Sequence, residues 1–147
     1  MATTRTARAV WNGDLASGTG EVSAVSSERF VNLPVSWPSR TEQPGGRTSP
    51  EEFLAAAHAS CFAMALSAGL GRAGTPPTRL EVTATITFDR VSDAWTVTES
   101  QLTVRGAVPG ATAEAFQQAA EAAKDNCPIS RALKGNVQMS VTASLEG

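Results

Sequence analysis

A chain of 147 residues with 41% hydrophobic residues is long enough to fold around a real core and lies well outside the composition of disordered chains. Its acids and bases are scattered and sum to a net charge of -2, so the basic stripe expected of a nucleic-acid binder is missing. No basic start followed by an apolar run marks a secretory leader. The one long apolar stretch, residues 53–70, is mostly alanine and is broken by His58, Ser60 and Ser67, which argues against a membrane span. The expectation is a soluble, cytoplasmic protein without a membrane or nucleic-acid partner, folded as a single domain over residues 1–147.

In chain order, Ala7 to Trp11 and Glu21 to Val25 flank a turn-rich segment and predict a hairpin with a long connection. Phe30 to Trp37 reads as extended, and Pro34 and Pro38 confine it to a sheet edge or coil. Gln43 to Arg47 is loop. A helix then starts sharply, with Ser49 as N-cap, Pro50 at the first helical position and Glu52 completing a capping box. It runs from Phe53 to about Leu70 with apolar or small residues almost all round. Such a helix belongs at the centre of something, and a small domain has little material to enclose it, so a second copy is an expected part of its covering.

Two strands follow. Leu80, Val82, Ala84, Ile86 and Phe88 alternate with polar residues, a turn spans Arg90 to Asp93, and Trp95 to Arg105 continues the core face through Leu102 and Val104. Thr112 caps a second helix with an apolar stripe of Phe116, Ala119, Ala120 and Ala123. A short helix runs from Pro128 to a stop at Gly135, and a last alternating strand runs from Val137 to Leu145. The pattern is one α+β domain without repeats. The string Gly69-Leu70-Gly71-Arg72-Ala73-Gly74 spells GxGxxG, but a helix precedes it and Pro76-Pro77 follow, so it reads as a helix end rather than a dinucleotide loop.

Chemistry rests on few residues. Two cysteines in a cytosolic chain do not make a disulfide scaffold. Cysteine plus the single histidine, His58, falls short of a zinc set, so no metal site is expected. Cys127, just before Pro128, sits at a helix N-terminus whose free N–H groups and dipole favour a thiolate. Cys61 lies inside the long helix, where desolvation alone would raise its pKa and leave it inert. If Cys61 is reactive, a cation must stabilise it, and Arg40 and Arg47 lie upstream of its helix. Read from these residues alone, buried bystander thiols and a reactive pair both stay open.

The run Ser49-Pro50-Glu51-Glu52-Phe53-Leu54-Ala55-Ala56-Ala57-His58-Ala59-Ser60-Cys61-Phe62 resembles the core motif of the osmotically inducible protein C and organic hydroperoxide resistance family (OsmC/Ohr). Asn126-Cys127-Pro128-Ile129-Ser130 resembles that family's second cysteine motif. The likeness extends from Trp11-Asn12-Gly13-Asp14 to the final strand, and the Trp11 and Trp37-Pro38-Ser39-Arg40 segments look more like the OsmC branch. The resemblance implies a homodimer in which long central buried helices are wrapped by antiparallel β-sheets, with active sites at the subunit interface. It implies a peroxidase of organic hydroperoxides that needs no cofactor and is regenerated by a dithiol such as a lipoylated protein. By motif, Cys61 is the peroxidatic cysteine and Cys127 the resolving one. Arg40, favoured over Arg47 despite a slightly longer intervening loop, would hold the thiolate, and Glu51 would orient that arginine.

Phe30, Leu33, Val35 and Trp37 are candidates for an apolar wall or for ordinary packing. Glu51 and Cys61 lie ten residues apart on one helix, roughly 15 Å of rise, so the resemblance leads to the expectation that Glu51 serves the partner's Cys61. A non-catalytic redox-switch or ligand-binding stress protein on the same fold is the alternative function.

Overall fold

The computed structural model describes residues 1–146 and is α+β, with one long helix and two three-stranded sheets. Contacts divide the chain into two compact units, Met1–Phe53 and the segment from Leu54 onward.

In the first unit, β1 (Ala7–Asn12), β2 (Thr19–Ala24) and β3 (Leu33–Val35) form an antiparallel sheet in that order. The hairpin connection closes around Asp14, whose carboxylate accepts from the N–H and hydroxyl of Ser17 at 2.8 Å each. Gly20 is glycine for a steric reason, since a Cβ there would lie 2.7 Å from the Trp11 ring. β3 is an edge strand, as Pro34 requires.

The extended reading of the segment to Trp37 ends too late. After Val35 the chain turns into a short helix, α1 (Trp37–Thr41). Ser36 and Ser39 cap it reciprocally, the Ser39 N–H donating to Ser36 Oγ at 3.2 Å and the Ser36 N–H to Ser39 Oγ at 3.1 Å. Pro38 sits in its first turn, where a missing N–H costs nothing.

The long helix α2 (Pro50–Arg72) starts where Ser49 and Pro50 place it. The Glu52 N–H donates to Ser49 Oγ at 3.1 Å, but the Glu52 carboxylate accepts from the Thr48 hydroxyl at 2.6 Å instead of closing the expected box. α2 runs past Leu70 to Arg72, and Gly74, at φ +84°, ends it as the GxGxxG reading anticipates.

Within the second unit, α2 buries one stripe, His58, Phe62, Leu66 and Leu70, spaced four residues apart. The other side is not enclosed by this chain: Ser60, Ser67 and Ala68 are exposed and Met64 is 72% exposed. The expectation of low hydrophobicity also needs correction. Alanines lift an 18-residue window to a mean hydropathy of 1.6, so α2 is long and apolar enough by composition to cross a membrane. Its buried face instead carries an imidazole and joins a protein core.

That core lies against β4 (Arg79–Val91), β5 (Ala94–Ala107) and β6 (Gln138–Leu145). β4 and β5 form an antiparallel hairpin turned by Ser92 and Asp93, both at positive φ. β6 departs from the all-antiparallel expectation by joining β5 in parallel. A parallel pair needs a crossover, and α3 (Ala113–Asn126) and α4 (Pro128–Leu133) supply it. Thr112 caps α3 as expected, and Phe116, Ala120 and Ala123 are buried with Leu102 and Val104. Gly106 lets α3 approach β5, because a Cβ there would lie 2.6 Å from the Phe116 ring.

Candidate active site

Two clusters hold the residues singled out in the sequence, one in each unit. In the first, α1 carries Arg40 and the first turn of α2 carries Glu51. The Arg40 Nε–H lies 3.0 Å from both Glu51 carboxylate oxygens, and its Nη2 donates to Oε1 at 2.7 Å. This bidentate geometry fixes the plane of the guanidinium. Glu51 is buried, while about a third of the Arg40 side chain is exposed. Trp37, one turn back on α1, lies 5.8 Å from the Arg40 Cζ across its ring. Arg47 lies exposed in the loop, and the ion pair with Glu51 belongs to Arg40.

Beside Arg40 is a cavity of about 320 Å³ lined by Trp11, Leu15, Val35, Trp37 and Pro50. Of the four apolar-wall candidates, Val35 and Trp37 line it. Phe30 packs instead on Phe53, ring centroids 5.3 Å apart, and Leu33 is not in the lining. Trp11 and Leu15 also line it and were not among those candidates, because the expected hairpin does not by itself say which side chains meet α1.

In the second unit, α2 presents Cys61 and the start of α4 presents Cys127. Both thiols are free, with sulfurs 2.8 Å apart, within hydrogen-bonding reach of each other. Cys127 is fully buried and Cys61 partly so. Burial first, and then the Cys61 thiol's own hydrogen bonding to Cys127, push Cys61 above its ordinary pKa, while the backbone N–H of Ile129 bonds its sulfur and pulls the other way. Cys127 is the N-cap of α4, as read from the sequence, but its side chain makes no cap hydrogen bond, and the Ile129 N–H at that helix start serves Cys61.

The surroundings of His58 are not written in its local sequence. Its Nδ1 lies 2.7 Å from Ser100 Oγ on β5 and its Nε2 lies 2.8 Å from Ser130 Oγ on α4. Burial lowers its pKa, so the ring is held neutral. The available signal was its place one turn before Cys61 on a buried face, where an imidazole must find partners.

A long helix and a short helix that bring two free thiols together beside a sheet define a class of α+β paired-thiol protein. The OsmC-like protein family model matches residues 43–142. The chain is 39% identical over 132 residues to peroxiredoxin OsmC of Escherichia coli (strain K12), covering 90% of this chain and 91% of that one. To the organic hydroperoxide resistance protein of Xanthomonas axonopodis pv. citri it is 28% identical, over 86% and 89% of the two chains. The solved organic hydroperoxide resistance protein of Elizabethkingia anophelis aligns with a TM-score of 0.75 at 26% identity, covering 99% of this chain and 100% of that one. The chain belongs to the OsmC/Ohr family.

Proposed function

We propose that the protein is a two-cysteine peroxidase of organic hydroperoxides, with Cys61 peroxidatic and Cys127 resolving. The observation that carries this reading is the pair of free sulfurs 2.8 Å apart, in a chain whose relatives are named peroxiredoxin and organic hydroperoxide resistance protein.

The Cys61 thiolate attacks the terminal oxygen of the hydroperoxide. The O–O bond breaks, the alcohol leaves with a proton, and Cys61 becomes a sulfenic acid. Cys127 then attacks the Cys61 sulfur, the S–S bond forms and the S–OH oxygen leaves as water. An external dithiol, such as a lipoyl group, reduces the disulfide by two exchange steps.

Arg40 answers the problem that burial poses for Cys61, since a fixed cation favours the thiolate and stabilises charge on the breaking O–O bond. Glu51 holds that cation in one plane. The apolar cavity beside Arg40 suits an alkyl chain better than water. The exposed side of α2 around Met64 supports a homodimer as the working unit, with Glu51 serving the partner's Cys61. No metal, haem or flavin enters this scheme.

The reading is tested by following cumene hydroperoxide in the presence of excess dihydrolipoamide. Multiple turnovers per protein are expected. Oxidation to the disulfide without turnover would instead favour a redox switch.

A further inference from the structure

His58 is the single histidine in the chain and is wholly buried, as are both of its partners, Ser100 and Ser130. A buried imidazole is tolerated when each ring nitrogen has a hydrogen-bonding partner, and two serine hydroxyls meet that need here. Their positions in the fold are unequal. Ser100 stands in the long strand β5, which is paired on both sides. Ser130 stands three residues after Cys127, in a helix of only six residues, too short to hold its shape or place by itself. One edge of His58 therefore faces a rigid anchor, and the other faces the element that carries the second thiol. Cys61 lies one turn further along the same face of α2 as His58, so the helix that presents one sulfur also positions the other.

We propose that His58 is a positioning residue for disulfide formation: through Ser130 it fixes α4 so that Cys127 stays in line with Cys61. This deepens the two-cysteine reading and rests on it. In the step concerned, the Cys127 sulfur attacks the Cys61 sulfenic sulfur, the S–O bond breaks, and the departing hydroxide takes the Cys127 proton as water. His58 exchanges no atom in that step; it sets the approach. Its neutral state, favoured by burial, leaves one nitrogen to donate and one to accept, and a serine hydroxyl suits either.

The experiment adds one equivalent of cumene hydroperoxide to the reduced full-length protein. Loss of the Cys61 thiol and appearance of the disulfide are followed separately, with dimedone trapping the sulfenic acid. His58→Gln places its amide where Nε2 meets Ser130, and His58→Asn places it where Nδ1 meets Ser100. His58→Asn and Ser130→Ala are expected to slow disulfide formation about tenfold and to raise dimedone capture, as loss of a buried hydrogen bond implies. His58→Gln restores most of the rate, and the double variant His58→Asn/Ser130→Ala is no slower than either single variant.

Wild-type rates of disulfide formation in His58→Asn or Ser130→Ala would overturn the proposal. So would equal losses in His58→Gln and His58→Asn, which would mark generic packing. If the His58 variants do not fold, Ser130→Ala decides alone. If wild type resists the peroxide, the peroxidase reading fails, and disulfide formation driven by diamide then ranks the same variants. The same order sustains the His58 claim, and no difference among them overturns it.

Discussion

Replacing Cys61 with serine is expected to abolish peroxide turnover, by at least about a thousandfold, because a hydroxyl is neither ionised at neutral pH nor comparably nucleophilic. Replacing Cys127 with serine has a different signature. Its first equivalent of hydroperoxide still oxidises Cys61, but no intramolecular disulfide forms, and a dithiol then regenerates the thiol poorly or not at all. The contrast follows from geometry. Cys61 is partly accessible and bonded by the Ile129 N–H, whereas Cys127 is fully buried and has the Cys61 sulfur 2.8 Å away. The check is a stopped-flow trace of each variant with limiting peroxide. Equal loss of the first oxidation in both variants would reverse or dissolve the assigned roles.

The second large effect is expected at Arg40. Burial pushes the Cys61 thiol upward, so without a cation the thiolate fraction at neutral pH is small and the rate rises with pH through the alkaline range. On the proposed reading Arg40 opposes that shift. Arg40→Ala is then expected to lower the rate of Cys61 oxidation by about a hundredfold at neutral pH and to move its pH profile to higher pH. Glu51→Gln leaves the cation but loosens its fixed plane, and a loss of about tenfold is expected. Arg47→Ala is expected to behave as wild type, since Arg47 is exposed in the loop. Thiolate absorbance against pH reads the same shift independently of peroxide. If Arg47→Ala loses activity while Arg40→Ala keeps it, the arginine assignment is wrong.

What could be read from the sequence was what local chemistry writes. Ser49 and Pro50 mark the start of α2, Thr112 the start of α3 and Pro128 the start of α4, because caps act within one turn. The alternation from Leu80 to Phe88 marks β4 because its pleat has one covered face. The short helix α1 was hidden because Pro34 and Pro38 argue for extended chain, and its reciprocal Ser36–Ser39 cap uses serine where glutamate is the better-known signal. The parallel register of β6 on β5 was hidden because alternation reports a strand's faces and not its neighbour.

The same division runs through the site. Arg40 and Glu51 are eleven residues apart and were pairable by motif, as were the two cysteines. His58 finds its partners 42 and 72 residues away, and no local pattern announces such bonds. The β1–β2 hairpin was legible from its turn residues, but residue spacing carries no trace of Trp11 lining the cavity beside Arg40.

The most direct test of the two-cysteine account is the intact mass and peptide map of the protein after one equivalent of cumene hydroperoxide, under non-reducing conditions. The account predicts the loss of two hydrogens and a single Cys61–Cys127 cross-linked peptide within one chain. A protein left unoxidised, or one carrying oxygen on Cys61 with Cys127 still a free thiol, would contradict it.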